Sequence, residues 1–281
     1  MNQSMITASV TMGQLQKKLD TISHNVANVN TNGYKRRDVQ FQDLLFQQLN
    51  NQTVHQQETG RNTSNGLRIG SGARVSQTIL RMEQGAINQT GRPLDIAIGE
   101  KGIFFEVLPT DENEPRRFTR DGAFYLTPNP NNADELFLVT GDGDFVMSAT
   151  GNAIAIPANY DSINVTETGT ILVTLKGELD TEINLGQLQL FRVTKPQLLE
   201  SIGDNYFSFP DLEQLGLGFD DVLELVPENE GKLIQGALEG SNVDLGKELS
   251  ELILAQRAYQ FNTRSISMAD QMMGLVNNIR G

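Results

Sequence analysis

Ser241-Asn242-Val243-Asp244-Leu245 opens the stretch that decides the fold, a run to Arg280 without a proline. Ser241 or Asn242 suits a helix cap, because a short polar side chain satisfies N–H groups that a first turn leaves unpaired. Asp244 suits the positive end of the helix dipole. Apolar or small residues then recur every seven positions. Leu245, Leu252, Tyr259, Ile266 and Met273 hold one place in the repeat; Ala255, Asn262, Ala269 and Val276 hold another, with Leu249 standing in for Glu248 at the start. This spacing predicts a helix about 55 Å long with a coiled-coil seam. A lone helix has nothing of its own to bury such a stripe against, so the pattern requires a second one.

The second helix lies at the other end of the chain. Between Ser4 and Val29, the residues Met5, Met12, Leu19 and Val26 are seven apart, and Ala8, Leu15, Ile22 and Val29 repeat that spacing three positions later. Every seam position is apolar, while Gln16, Lys17, Lys18 and Asp20 fall elsewhere. Asn28-Val29-Asn30-Thr31-Asn32-Gly33 ends the helix, since Asn and Gly tolerate the left-handed backbone of a C-terminal stop. Within the C-terminal seam, the single polar residue Asn262 fits a register-setting role. Met5, Met12, Met268, Met272 and Met273 suit an adaptable interface.

Composition narrows the chemistry. The 281 residues include no cysteine and only two histidines, His24 and His55, which excludes disulfides, thiolate nucleophiles and most metal sites. The net charge of −13 is concentrated in the centre: Glu100 to Glu230 holds 24 acidic and 7 basic side chains, so the flanks are net positive. An acidic centre disfavours nucleic acid and anionic membrane as partners. No apolar run approaches the roughly 18 residues of a membrane span. Met1 to Thr7 lacks the basic and apolar regions of a cleaved signal peptide.

Candidate catalytic and metal-binding groups find no companions. The run Gly66 to Gly72 lacks the Gly-Lys-Ser/Thr ending of a phosphate loop, and Gly70-Ser71-Gly72 is not a nucleophile elbow. Among the carboxylates Asp95, Asp121, Asp142 and Asp144, the run Asp142-Gly143-Asp144 could open a calcium loop but has no glutamate at the twelfth position; a hairpin turn accounts for it. His24 lies off the helical seam without a second His or Cys beside it. The expectation is a protein with no catalytic, cofactor or metal site.

From Ala73 the periodicity changes to that of strands, over 73–80, 94–98, 103–108, 123–127, 135–139, 153–156, 162–165, 171–175 and 185–193. Asp121-Gly122, Gly141-Asp142-Gly143-Asp144 and Thr150-Gly151-Asn152 punctuate them as turns. The fold class expected is α+β: long N- and C-terminal helices forming a coiled-coil-like domain, with a central all-β domain. Its parts are residues 1–35 (helix and turn), 36–72 (arm and polar loop), 73–238 (β domain) and 239–281 (C-terminal helix).

Several runs in fixed order carry a family resemblance. Ala27-Asn28-Val29-Asn30-Thr31-Asn32-Gly33-Tyr34-Lys35 resembles the Ala-Asn-Val-Asn-Thr-Thr-Gly-Tyr-Lys signature of the flagellar basal-body rod and hook family. Thr90-Gly91-Arg92-Pro93-Leu94-Asp95-Ile96-Ala97-Ile98, Phe118-Thr119-Arg120-Asp121-Gly122-Ala123-Phe124, Leu198 to Tyr206, Ser241-Asn242-Val243-Asp244 and Ala255-Gln256-Arg257-Ala258-Tyr259 are similar to further family runs. Glu100-Lys101 and Ile103 depart from the family's Gly-containing pair and Gly-Phe-Phe, so the hairpin turn expected there is expected to differ from the family's. Gly66-Leu67-Arg68-Ile69-Gly70-Ser71-Gly72 resembles the distal rod-type members rather than the hook.

The resemblance implies a non-enzymatic subunit of the basal-body rod that self-assembles helically through its terminal helices and transmits torque from motor to hook. The implied partners are copies of itself, other rod and hook subunits and the flagellar export apparatus, with no nucleic acid and no membrane insertion; the place is the basal body, reached without a cleaved signal peptide. The expected assembly interface is Met5, Met12, Leu15, Leu19, Ile22, Val26, Val29, Leu245, Leu249, Leu252, Tyr259, Asn262, Ile266, Met273 and Val276, with Asn28, Asn30, Gly33 and Tyr34 forming the family turn. A hook or hook-junction subunit, and a secreted acidic β protein binding calcium, are the alternatives.

Overall fold

The computed structural model describes residues 2–43, 46–49, 67–70, 73–109, 115–130, 132–177, 182–203, 205–212, 214–227 and 232–280. Their contacts divide the chain into two compact units, one of Met1–His24, Arg37–Ile79 and Leu245–Gly281, the other of Asn25–Arg36 and Leu80–Asp244. Residues 25–35, expected at the tail of the helical domain, and 239–244, expected with the C-terminal helix, group with the β unit, while 73–79, expected in the β domain, group with the helices.

The helical unit contains α1 (Asn2–Ala27) and α2 (Leu245–Arg280). Within the stretch expected as arm and polar loop, strand Arg37–Asp43 pairs with Ala73–Leu80, and Phe46–Leu49 pairs antiparallel with Leu67–Gly70, Phe46 opposite Gly70. The alternation of Val39 and Phe41 with polar neighbours has the period of a strand. Residues 50–66, expected as loop, lie outside the described residues. The Gln14 side chain accepts the Val75 N–H at 2.8 Å. An ion pair, Lys18 Nζ to Glu251 at 3.2 Å, and a contact between Thr263 Oγ1 and Met12 Sδ at 4.0 Å join α1 to α2.

The β unit is organised around strand Ile103–Leu108. It pairs antiparallel with Arg117–Thr119, Phe145–Val146 and Leu190–Val193, and its first five residues are buried. Successive side chains of a strand point to opposite faces, so a strand covered on both sides reads as an apolar run. Phe104 accordingly joins a cluster with Phe118, Phe207 and Val222, while Phe105 joins a larger one with Phe124, Ile156 and Val173. Edge-to-face ring pairs, Phe104–Phe207 at 5.6 Å and Phe105–Phe124 at 5.2 Å, fix the two sides. Antiparallel strands Tyr160–Val165, Thr170–Leu175 and Glu182–Gln187 form a separate sheet.

Two sequence expectations are corrected here. The single strand expected over 185–193 is two strands: Glu182–Gln187 pairs with Thr170–Leu175, the chain leaves that sheet at residues 188–189, and Leu190–Val193 pairs with Ile103–Leu108. The family departures at Glu100, Lys101 and Ile103 were expected to alter a hairpin turn, yet the flanking strands do not pair with each other. Ile96–Ile98 pairs instead with Leu233–Gln235, which precedes strand Ala237–Glu239 and the approach to α2.

Truncating Phe105, fully buried against the Phe124 ring, removes the centre of the larger cluster. Phe105→Ala is expected to cost about 3–5 kcal/mol of stability by urea unfolding, whereas Leu225→Ala, at an exposed position, is expected to change it by less than about 1 kcal/mol.

Candidate functional site

The turn after α1 does more than stop a helix. Gly33 has φ 69°, and a Cβ there would lie 2.5 Å from the Asp121 nitrogen and 2.7 Å from the Arg120 carbonyl carbon, so only glycine lets the turn lie against that backbone. Its N–H donates to the Glu239 carbonyl at 2.8 Å. The Tyr34 hydroxyl, buried, donates to Asn25 Oδ1 at 3.0 Å, and Thr31 Oγ1 donates to Asn28 Oδ1 at 3.0 Å. Asn30 is exposed and Asn28 buried.

Behind this turn lies a cluster of three buried charges. Lys35 Nζ donates to Glu239 Oε1 at 2.7 Å and to the Glu83 carbonyl at 2.8 Å. Arg120 grips the other carboxylate oxygen, Oε2, through Nε at 2.8 Å and Nη2 at 2.7 Å, and its remaining N–H groups reach the carbonyls of Ile103 and Glu100. The Gly85 N–H completes Oε1 at 2.8 Å. The lysine and arginine are each 1% exposed, as is the glutamate. Two cations share one anion, so the cluster carries one positive charge in excess.

That excess shows in the electrostatics. Burial, and then the Arg120 charge, pull the Lys35 ammonium down from 10.5 to about 8, against the upward pull of Glu239. Burial also lowers Arg120, again opposed by Glu239. Asn242 extends the joint: its Oδ1 accepts the Arg36 N–H at 2.7 Å and its amide donates to the carbonyls of Arg81 and Glu83. Of the two side chains expected to cap α2, Asn242 thus holds the N-terminal segment, and Ser241 accepts the Val243 N–H at 3.3 Å.

The helical seam is placed with mixed results. On α1, Met5, Met12, Leu15, Leu19 and Val26 are half-buried and Ile22 is buried; Val29, expected in the seam, lies half-buried in the turn after the helix. On α2, Ala255 and Ala269 are buried and Leu252, Tyr259, Asn262, Ile266 and Met273 half-buried, but Leu245, Leu249 and Val276 are exposed. Glu248 is buried at 3% exposure and keeps the seven-residue frame, while Leu249 beside it is exposed. A carboxylate in the first turn is also favoured by the helix dipole. Asn262 donates to the Ala258 carbonyl of its own helix at 2.9 Å.

Sequence reasoning missed a second stripe. Leu254, Phe261, Met268 and Leu275 are also seven apart, and they are 64%, 70%, 54% and 63% exposed. Ile253 and Met272 lie exposed beside them. The spacing was available in the sequence, hidden because a single seam accounted for the repeat.

The carboxylates singled out earlier serve turns. Asp144 accepts Arg117 Nη1 at 2.8 Å, and Gly143 at φ 92° closes the turn between strands Glu135–Val139 and Phe145–Val146. Asp95 is held by Thr90 and Arg92. Asp121 accepts the Ala123 N–H and the Asn205 amide, and its burial raises its pKa. No helix among the described residues is long and apolar enough to cross a membrane.

An apolar stripe left exposed along α2, with no candidate catalytic group beside it among the described residues, is a feature of an assembling, structural class of protein. Family profiles match in three places: flagella basal body rod protein over residues 5–35, flagellar hook protein FlgE/F/G D1 domain over 95–173, and flagellar basal body rod FlgEFG protein C-terminal over 234–279. The flagellar hook-basal body complex protein FlhP of Bacillus subtilis is 40% identical over 282 residues, covering 100% of both chains. The flagellar basal-body rod protein FlgG of Caulobacter vibrioides is 34% identical with 99% of each chain covered, and FlgG of Bacillus subtilis 31% identical with 100% covered. The chain belongs to the flagellar basal-body rod and hook family, as a structural subunit of the flagellar basal body.

The charge count ranks substitutions in the clasp of Lys35, Arg120 and Glu239. Glu239→Gln leaves two buried cations without an anion and is expected to cost most, about 3–5 kcal/mol. Arg120→Met keeps a balanced Lys35–Glu239 pair but orphans two carbonyls, and Lys35→Met keeps the balanced Arg120–Glu239 pair and costs least. Between about pH 8 and 10.5 the folded chain binds fewer protons at Lys35 than the unfolded chain, so stability gains a contribution as pH rises, at most about 1.4 kcal/mol per pH unit. Tyr206, whose phenol burial raises, opposes this only above about pH 10. Urea unfolding from pH 7.5 to 9.5 is expected to show the rise in the wild type and its loss in Lys35→Met.

Proposed function

We propose that this chain is a distal rod-like subunit that self-assembles helically through its terminal helices and transmits torque from motor to hook. The observation that carries the proposal is the exposed stripe Leu254, Phe261, Met268 and Leu275. A helix with apolar residues on a second face requires cover beyond its own chain. Covering each such side chain stabilises by about 1.5–3 kcal/mol, so a few neighbours suffice to drive association.

In this reading α1 and α2 pack along the seam as a coiled-coil-like pair, antiparallel as the Lys18–Glu251 and Met12–Thr263 contacts suggest. The seam residues named from the sequence then hold the pair together, and the second stripe meets neighbouring subunits. Contacts between unlike faces of successive copies generate an open filament. Copies of the chain and other rod and hook subunits are the partners, with the export apparatus delivering the chain. Catalysis has no part in this function.

A hook-junction position is the second reading, favoured by the 40% identical relative whose name is hook-basal body complex protein. The location of tagged protein in isolated basal bodies separates the two: density along the rod supports the first, and density confined beyond the rod overturns it.

Replacing Phe261 and Met268 together by Asp is expected to abolish sedimentable polymer and motility while leaving the unfolding free energy, from urea unfolding, unchanged within about 0.5 kcal/mol. Polymer formed at wild-type yield by this variant would rule out the stripe as the assembly face.

A further inference from the structure

Asn32 stands where the family signature has Thr, and it precedes a glycine. That pair can react with itself, because a glycine nitrogen, with no neighbouring side chain to shield it, can attack the preceding asparagine Cγ. The side-chain amide leaves as ammonia, carrying off the proton of the attacking nitrogen, and a ring imide remains. Water then opens the ring at either carbonyl. The products are an aspartate and an isoaspartyl link, in which Cβ and Cγ have become main chain.

The fold holds Asn32 and Gly33 out of reacting geometry. The Tyr34 N–H donates to the Thr31 carbonyl at 3.4 Å, and Gly33 has φ 69°. A turn closed by that bond with positive φ at its third residue is type II, whose second residue, here Asn32, has ψ near about +120°. Ring closure needs the Gly33 nitrogen eclipsed with Asn32 Cβ, and this ψ places it about a third of a circle away. The same nitrogen commits its N–H to the Glu239 carbonyl at 2.8 Å. The turn has no room to swing into the reactive shape, since Gly33 lies against the Arg120 and Asp121 backbone and the next two residues, Tyr34 and Lys35, are fully buried.

We propose that Asn32 is a deamidation site that the folded β unit protects and the unfolded chain does not, so that time spent unfolded is recorded as a covalent mark. The isoaspartyl product inserts a carbon into the main chain just before Gly33, where a single Cβ would already lie 2.5 Å from the Asp121 nitrogen. With Lys35 fixed on Glu239 at 2.7 Å, the lengthened turn has no seat. A chain marked in this way loses the Gly33 contact with Glu239 and does not close the β unit. The aspartate product keeps the main-chain length and closes it.

Full-length protein is held at pH 8, folded or in guanidinium, and the tryptic peptide from Leu19 to Lys35 is sequenced by mass spectrometry at intervals. Deamidation at Asn32 is expected to be at least about tenfold slower in the folded protein, which reacts only through rare openings. Equal rates would overturn the proposal. The aged unfolded protein is then returned to buffer and its folded fraction isolated by size. The isoaspartyl form is expected to be depleted from that fraction at least about fivefold, and its recovery there in the yield of unmodified chains would refute the marking. Asn32→Asp is expected to refold as the wild type does, separating the added carbon from the added charge. Were it to refold as poorly as isoaspartyl chains, the lengthened turn would not be the cause and the seating argument would fall.

Discussion

The carboxylate of Glu239 is the constraint on which the β unit depends. A lone buried carboxylate costs several kcal/mol, and this one is tolerable only because Arg120, Lys35 and the Gly85 N–H satisfy both oxygens. Those partners come from parts of the chain far apart in sequence: the turn after α1, the segment after strand Ala73–Leu80, the Arg120 turn and the strand Ala237–Glu239. One side chain therefore enforces agreement among four segments. The buried cluster specifies the arrangement more than it stabilises it, since its surplus charge is a cost carried by Lys35.

The physical division of labour follows from where charge and apolar surface lie. Charge is buried where the chain must be joined to itself. Apolar surface is exposed along Leu254, Phe261, Met268 and Leu275, the face proposed to meet neighbouring subunits. Carboxylates of the acidic centre are engaged within the β unit: Asp95 by Thr90 and Arg92, Asp121 by the Ala123 N–H and the Asn205 amide, and Asp144 by Arg117. No chemistry needs to be assigned to them.

Much of the fold was legible because helical and strand periods are local properties. Seven-residue spacing located both terminal helices, and strands Ala73–Leu80, Ile103–Leu108 and Glu135–Val139 fall on the bounds expected. Short strands such as Leu233–Gln235 and Ala237–Glu239 carry too few residues to show a period. The clasp was invisible for a different reason. Lys35 and Arg120 stood inside family runs, but a charge in a sequence reads as solvated, and the partner of Lys35 is 204 residues away. Asn242 was assigned to the helix it precedes because capping is local, whereas its actual contacts are long-range.

The central claim is that α2 presents its second stripe to neighbouring subunits. Hydroxyl-radical footprinting of the protein before and after assembly tests it most directly, since aromatic and sulfur side chains react readily when exposed. The account predicts that Phe261 and Met268 react in the monomer and become protected in the polymer, with no change at the exposed Tyr125 of the β unit. Phe261 and Met268 reacting equally in monomer and polymer would contradict it.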